Sequence, residues 1–179
     1  MIAADKCCLV LVDVQEKLLQ VMQDPERVVK NCGILIQIAK ALNIPILWCQ
    51  QYPKALGLTA GPLAELLNGL SPMDKLSFSC CGAPGFAGRL EALHIETAVL
   101  CGIESHVCVF QTAMDLLRQG MKVHVVADAV SSRTEENKQI GLARMTAGGV
   151  IINSTEMFLF ELLRTAEHPK FKELTALIR

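Results

Sequence analysis

The chain has 179 residues, 51% of them hydrophobic, which suits one compact domain able to bury a core of ordinary size. Lys and Arg number 17 and Asp and Glu 18, for a formal net charge of −1, so no overall field draws in nucleic acid or an acidic membrane surface, and neither is expected as a partner. The opening MIAADKCCLVLVDVQ has no basic leader, and no apolar run approaches the ~20 residues of a membrane span, so a soluble, cytoplasmic protein is expected.

CCLVLVD (7–13) is a continuous hydrophobic run ending in an acid, the pattern of a strand buried on both faces of a parallel sheet. Asp24-Pro25-Glu26 then reads as a helix start, with Asp24 as N-cap and Pro25 in the first turn. Apolar residues from Val28 to Leu42 keep helical spacing until Asn43 closes the helix. IPILWCQ (44–50) is a second strand. Residues 51–71 form a long irregular connection with a short helix near 62–68, and long loops in compact domains often carry binding function. A short strand over 74–77 leads through CGAPG to a helix at 84–93 with Pro84 in its first turn. TAVLCG (97–102) is a strand, 106–119 a helix closed by Gly120, MKVHVVAD (121–128) a strand, and 135–147 a helix closed by Gly148 and Gly149. VIIN (150–153) is the last strand, before a helix over 154–165 and a shorter C-terminal one.

Six strands alternating with helices predict an α/β fold, a three-layer α/β/α sandwich around a six-stranded, mainly parallel sheet. No repeat or linker divides residues 1–179, so a single domain is expected. The 8 cysteines do not form a disulfide framework in this reading, because Cys7, Cys8, Cys49 and Cys101 sit inside hydrophobic runs and the chain is rich in core formers. Neither the adjacent cysteine pairs nor the histidines have zinc-ligand spacing, so no structural metal is expected. Gly82, Gly85 and Gly88 do not make GxGxxG, and no phosphate-binding GxxxxGK[ST] occurs.

In open parallel sheets, ligands bind beyond the carboxyl ends of strands where the strand order reverses. Asp13 follows the first strand, Gln50, Gln51 and Tyr52 the second, Lys75 the third, Glu104 to Cys108 the fourth and Asp128 the fifth. If the order is 3-2-1-4-5-6, the first and fourth strands are neighbours at the reversal, and Asp13 comes near Cys108. A free cysteine is usually a small buried hydrophobe, an aspartate at a strand end a loop or capping residue, and a lone lysine a solvated one. Together they make an activated nucleophile: a thiol in the first turn of a helix, where the dipole favours thiolate, a carboxylate to take its proton and a lysine to hold that carboxylate. Ser105 reads as a cap for this helix. His106 is an alternative base, although residues two apart on a helix do not face each other.

The hydrophobic strand ending in Asp13 and followed by Gln15, the Lys75-Leu-Ser-Phe-Ser segment, and GIESHVCVFQTAMDLLRQGMKVHVVADAVSSR resemble the isochorismatase-like cysteine hydrolases over nearly the whole chain. QYPKALG, Asp74-Lys75, Ser131-Ser132-Arg133, Glu156 and HPKFKEL look most like the isochorismatase-domain-containing branch. The resemblance implies the Rossmann-like hydrolase fold of that family with order 3-2-1-4-5-6, and a catalytic triad of Asp13, Lys75 and Cys108. It also implies a cis peptide at Ile103-Glu104. On this reading backbone N–H groups of Val107 and Cys108 receive an oxyanion. Gln50-Gln51-Tyr52-Pro53 stands where nicotinamidases carry a metal-binding Asp-x-His, so no metal or other cofactor is expected. True isochorismatases lack the cysteine, which turns the expectation toward a small amide, carbamoyl or related carbonyl substrate.

The substrate pocket is expected to include Gln15, Gln50, Tyr52, Phe78 and Phe110. Apolar helix faces around Phe158, Phe160 and Leu163 suggest a homo-oligomer, a dimer or higher. Two other classes stand beside the hydrolase: a non-catalytic binding or scaffold protein that keeps the fold, and a redox-active thiol protein using Cys101 with Cys108.

Overall fold

A computed structural model describes residues 1–179. Strand β1 (Cys7–Val12) leads through a four-residue helix α1 (Glu16–Leu19) to the long helix α2 (Pro25–Ala41), then strand β2 (Ile46–Gln51). Short helices α3 (Pro53–Leu56) and α4 (Gly61–Leu66) fill the connection to β3 (Met73–Lys75). A 3-10 turn (Cys80–Gly82) and α5 (Phe86–Ala92) come next, then β4 (Thr97–Ile103), a π-helical turn (Ser105–Val109) and α6 (Phe110–Arg118). The chain finishes with β5 (Lys122–Ser131), α7 (Glu135–Ala147), β6 (Ile151–Asn153), α8 (Thr155–Leu163) and α9 (Phe171–Thr175).

The sheet is six-stranded with order β3-β2-β1-β4-β5-β6, and every neighbouring pair is parallel. All six residues of β1 are buried, because helices cover both faces of a parallel sheet. Alternation then divides the core. Cys7, Leu9 and Leu11 pack toward α2 and α8, against Leu35, Ile38 and Phe158. Cys8, Val10 and Val12 pack toward α5, α6 and α7, against Phe86, Leu116 and Met145. Each fully buried residue of this size contributes roughly 1.5–3 kcal/mol. Phe158→Ala would cost about 3–5 kcal/mol. Phe158 and Leu163, read above as part of an exposed face, are core residues, and only Phe160 of that trio is exposed. No helix is long and apolar enough to cross a membrane.

Several local expectations are corrected by the backbone. Asp24 does not cap α2: it adopts a left-handed conformation, its side chain makes no cap hydrogen bond, and its carboxylate pairs with Arg27 instead. Pro84 lies before α5, which starts after Gly85 in a left-handed conformation. Ser105 does not cap the helix after β4; its hydroxyl donates to Ser131 O at 2.8 Å. Asp128 lies within β5 rather than after it. Its Oδ1 accepts from Thr155 N–H and Oγ1, which anchors the start of α8.

Candidate active site

The reversal point lies between β1 and β4, which run side by side from Cys7↔Thr97 to Val12↔Gly102. Their ends approach so closely that a Cβ at Gly102 would lie 2.1 Å from Val12 O, and Gly102 has φ +115. Only glycine fits that position. The next residue on β1's side, Asp13, has φ 51 and turns its carboxylate out of the strand into a fully buried position. On β4's side the Ile103–Glu104 peptide is cis. Glu104 O then accepts from both Val107 N and Val109 N, at 3.1 and 3.2 Å, which winds the π turn carrying Cys108.

Lys75 enters from the end of β3. Its ammonium donates to Asp13 Oδ2 at 2.7 Å, Gln51 Oε1 at 2.7 Å, Phe78 O at 2.9 Å and Ser77 O at 3.2 Å. Three protons therefore meet four acceptors. Asp13 Oδ1 is buried and has no partner in hydrogen-bond geometry. Cys108 stands close enough for thiol and carboxyl to shift each other's titration, and keeps 7% of its surface open. Burial pushes the Asp13 carboxyl above its ordinary range, with the Lys75 charge opposing. For Lys75, burial pulls downward, but the charges of Asp13, Cys80 and Cys108 outweigh it and hold the ammonium above its usual value. Burial first, and then the Asp13 charge, push the Cys108 thiol well up. The thiolate favoured by a helix start is therefore opposed here, because desolvation beside an anion works against the dipole.

The other sequence candidates separate. Tyr52 lines a cleft of about 410 Å³ that opens onto Lys75, with Lys54, Asp74, Leu76 and Ser77 around it. Gln15 is wholly buried and holds backbone: it accepts from Gln51 N at 2.7 Å and donates to Gln51 O at 2.9 Å and Gly57 O at 2.6 Å. Gln50 is buried too, its Oε1 accepting from Thr59 N at 3.1 Å. The Phe78 ring is exposed, and its contribution to the site is its carbonyl. Phe110 lies under the Arg144 guanidinium, 4.4 Å from ring centroid to Cζ, and lines a different cavity. The Val107 N–H expected for an oxyanion is engaged by Glu104 O at 3.1 Å. His106 Nδ1 lies 2.9 Å from Ser132 Oγ, a bond that turns the ring to the end of β5. Gln51, a candidate by its place after the second strand but not counted in the expected pocket, is the residue that joins the site. Its signal was there: it ends β2 directly opposite Lys75 in the register.

A buried carboxylate, lysine and thiol lie together at the switch point of a doubly wound sheet, where open α/β folds bind their ligands. The isochorismatase domain model matches residues 7–157, and the chain belongs to the isochorismatase family. It is 41% identical over 170 residues to isochorismatase domain-containing protein 2 of Danio rerio, covering 95% of this chain and 85% of that protein. Isochorismatase domain-containing protein 2B of Mus musculus is 37% identical, with 96% and 80% covered. Among solved structures, MAR1 ribonuclease from Caenorhabditis elegans superposes with a TM-score of 0.94 at 38% identity, covering 99% of this chain and 91% of that one.

Proposed function

We propose that this chain is a cysteine hydrolase that cleaves a C–N bond in a small amide, carbamoyl or related carbonyl compound, with Asp13, Lys75 and Cys108 as its triad. The observation that carries the reading is the division of the Asp13 carboxylate: Oδ2 is bonded to Lys75 while Oδ1 has no partner, and the Cys108 thiol is near enough for the two groups to shift each other's titration. A carboxyl whose pKa is raised by burial is a better base for a thiol than an ordinary one.

In the proposed reaction the Cys108 proton passes to Asp13 Oδ1 as Sγ attacks the carbonyl carbon, and Cys108 N–H receives the oxyanion. The tetrahedral intermediate collapses with loss of the amine, which takes the proton from Asp13, leaving a thioester on Cys108. Water then adds to the thioester, giving its proton to Asp13; the acid departs and Sγ is reprotonated. Lys75 supplies charge to Asp13 throughout and keeps its own protons, because the neighbouring Asp13 charge holds the ammonium above its usual value. An activity screen over small amides, N-carbamoyl compounds and imides, with Cys108→Ala as control, tests the proposal. Turnover abolished in the variant supports it; full activity without the thiol would end it.

The name of the nematode relative raises a ribonuclease reading. Against it stand the net charge of −1 and a cleft whose cations are Lys54 and the already engaged Lys75. We expect no Cys108-dependent cleavage of single-stranded RNA in the same screen. A homo-oligomer belongs to the proposal as well, its surface now Ile151, Met157 and Phe160, all exposed. Sedimentation velocity tests it, and a monomer at micromolar concentration would count against it.

A further inference from the structure

Gln51 occupies a place that neither the triad nor the cleft accounts for. Its side chain lies between two fixed points, with Oε1 accepting from Lys75 Nζ at 2.7 Å and Nε2 donating to Leu76 O at 2.9 Å. Its peptide is gripped on both sides by the buried Gln15, and Tyr52 N, next along, donates to Lys75 O at 2.9 Å. A side chain held by its amide and its own backbone has one orientation to offer.

We infer that Gln51 is a positioning residue that sets the protonation of Asp13 through Lys75, by being the neutral acceptor that shares the ammonium with the carboxylate. The inference rests on the nucleophilic reading of Cys108 and deepens it. With Gln51 on one N–H and two backbone carbonyls near the others, Lys75 gives Asp13 one strong bond, to Oδ2, and leaves Oδ1 free for the thiol. The groups facing this pair that titrate are few: Cys108 from the π turn and Cys80 from the 3-10 turn, with Cys49 of β2 behind Cys80. Gln51 itself carries no charge, so exchanging it for a charged or non-bonding residue changes the balance in a known direction.

Gln51→Glu puts a second carboxylate on the same ammonium. The like charge raises Asp13 further and divides the Lys75 attraction, so the acid limb of Cys108 reactivity moves to higher pH by about one unit or more. Gln51→Met removes the competing acceptor, turns the ammonium more fully onto Asp13, and moves the limb to lower pH. Opposite shifts from two substitutions at one position are not what a merely structural residue produces.

The test uses the full-length protein and iodoacetamide, with carbamidomethylation of each cysteine followed by peptide mass spectrometry from acid to alkaline pH. The expected result is a Cys108 profile whose acid limb moves up in Gln51→Glu and down in Gln51→Met. If one variant does not fold, as judged by circular dichroism, the other alone carries the test through its direction. A Cys108 limb that a folded variant leaves in place, with only the amplitude changed, would overturn the role of Gln51 and leave the nucleophile standing. Wild-type Cys108 labelled no faster than Cys81, the partly exposed thiol, would overturn both.

Discussion

The Lys75 ammonium donates to Asp13 Oδ2 across 2.7 Å, with both side chains wholly removed from solvent. Breaking a buried pair by deleting one partner leaves the other charge uncompensated, at a cost of about 3–5 kcal/mol. Lys75→Met should therefore lower unfolding free energy by that amount in urea titrations, and the orphaned Asp13 should take up a proton. A change below about 1 kcal/mol would mean that the pair is solvated, as exposed ion pairs are.

Burial and the Asp13 charge push the Cys108 thiol well above its ordinary range, so on the proposed mechanism the resting protein carries a thiol that ionises only as it attacks. The ultraviolet thiolate absorbance of wild type at neutral pH should equal that of Cys108→Ser. On the proposed mechanism Asp13→Asn removes the base, and acylation of Cys108 by an activated ester should fall roughly 10²–10⁴-fold, the usual value of a positioned general base. A neutral-pH thiolate signal lost with Cys108 would show a preformed ion and contradict the base role.

His124 sits in β5 with 3% of its surface open and Nδ1 unpartnered. Burial lowers its pKa below the ordinary 6.5, with the Glu161 charge opposing and the N-terminal charge assisting. The unfolded chain thus binds the proton more readily, so stability contributed by neutral His124 is present above the ordinary value and lost as pH falls below it. The melting temperature of wild type should drop more steeply below about pH 6.5 than that of His124→Leu. Parallel curves would show that some other group governs the acid side.

Gly102→Ala places a Cβ against Val12 O and forces an L-residue to φ +115. The backbone conformation alone costs about 1–3 kcal/mol, and the contact adds to it by prying β1 from β4 beside Asp13. Chemical denaturation should register at least that loss. An unchanged stability would mean that the two strand ends separate freely.

The sheet was legible because strands covered on both faces must be continuous hydrophobic runs, and CCLVLV and TAVLCG can be little else. Asp13, Lys75 and Cys108 were nominated by position after strands together with the family motifs. What escaped depends on side-chain direction. Gln51 and Gln50 are adjacent and identical in type, yet the pleat sends Gln51 to Lys75 and Gln50 to Thr59 N. Phe110 is only two residues from Cys108, and the π turn directs its ring to Arg144. The caps read at Asp24 and Ser105 failed for backbone reasons: a left-handed residue in one case, and in the other a hydroxyl drawn across to Ser131 O.

The central claim is that one sulfur of eight forms the covalent bond, and acid-quenched reaction with p-nitrophenyl acetate followed by peptide mapping tests it most directly. The account predicts a transient acetyl group on Cys108, absent from Cys108→Ala and diminished in Asp13→Asn. Acetyl groups spread over surface lysines or other cysteines, in the same yield with Cys108 removed, would contradict it.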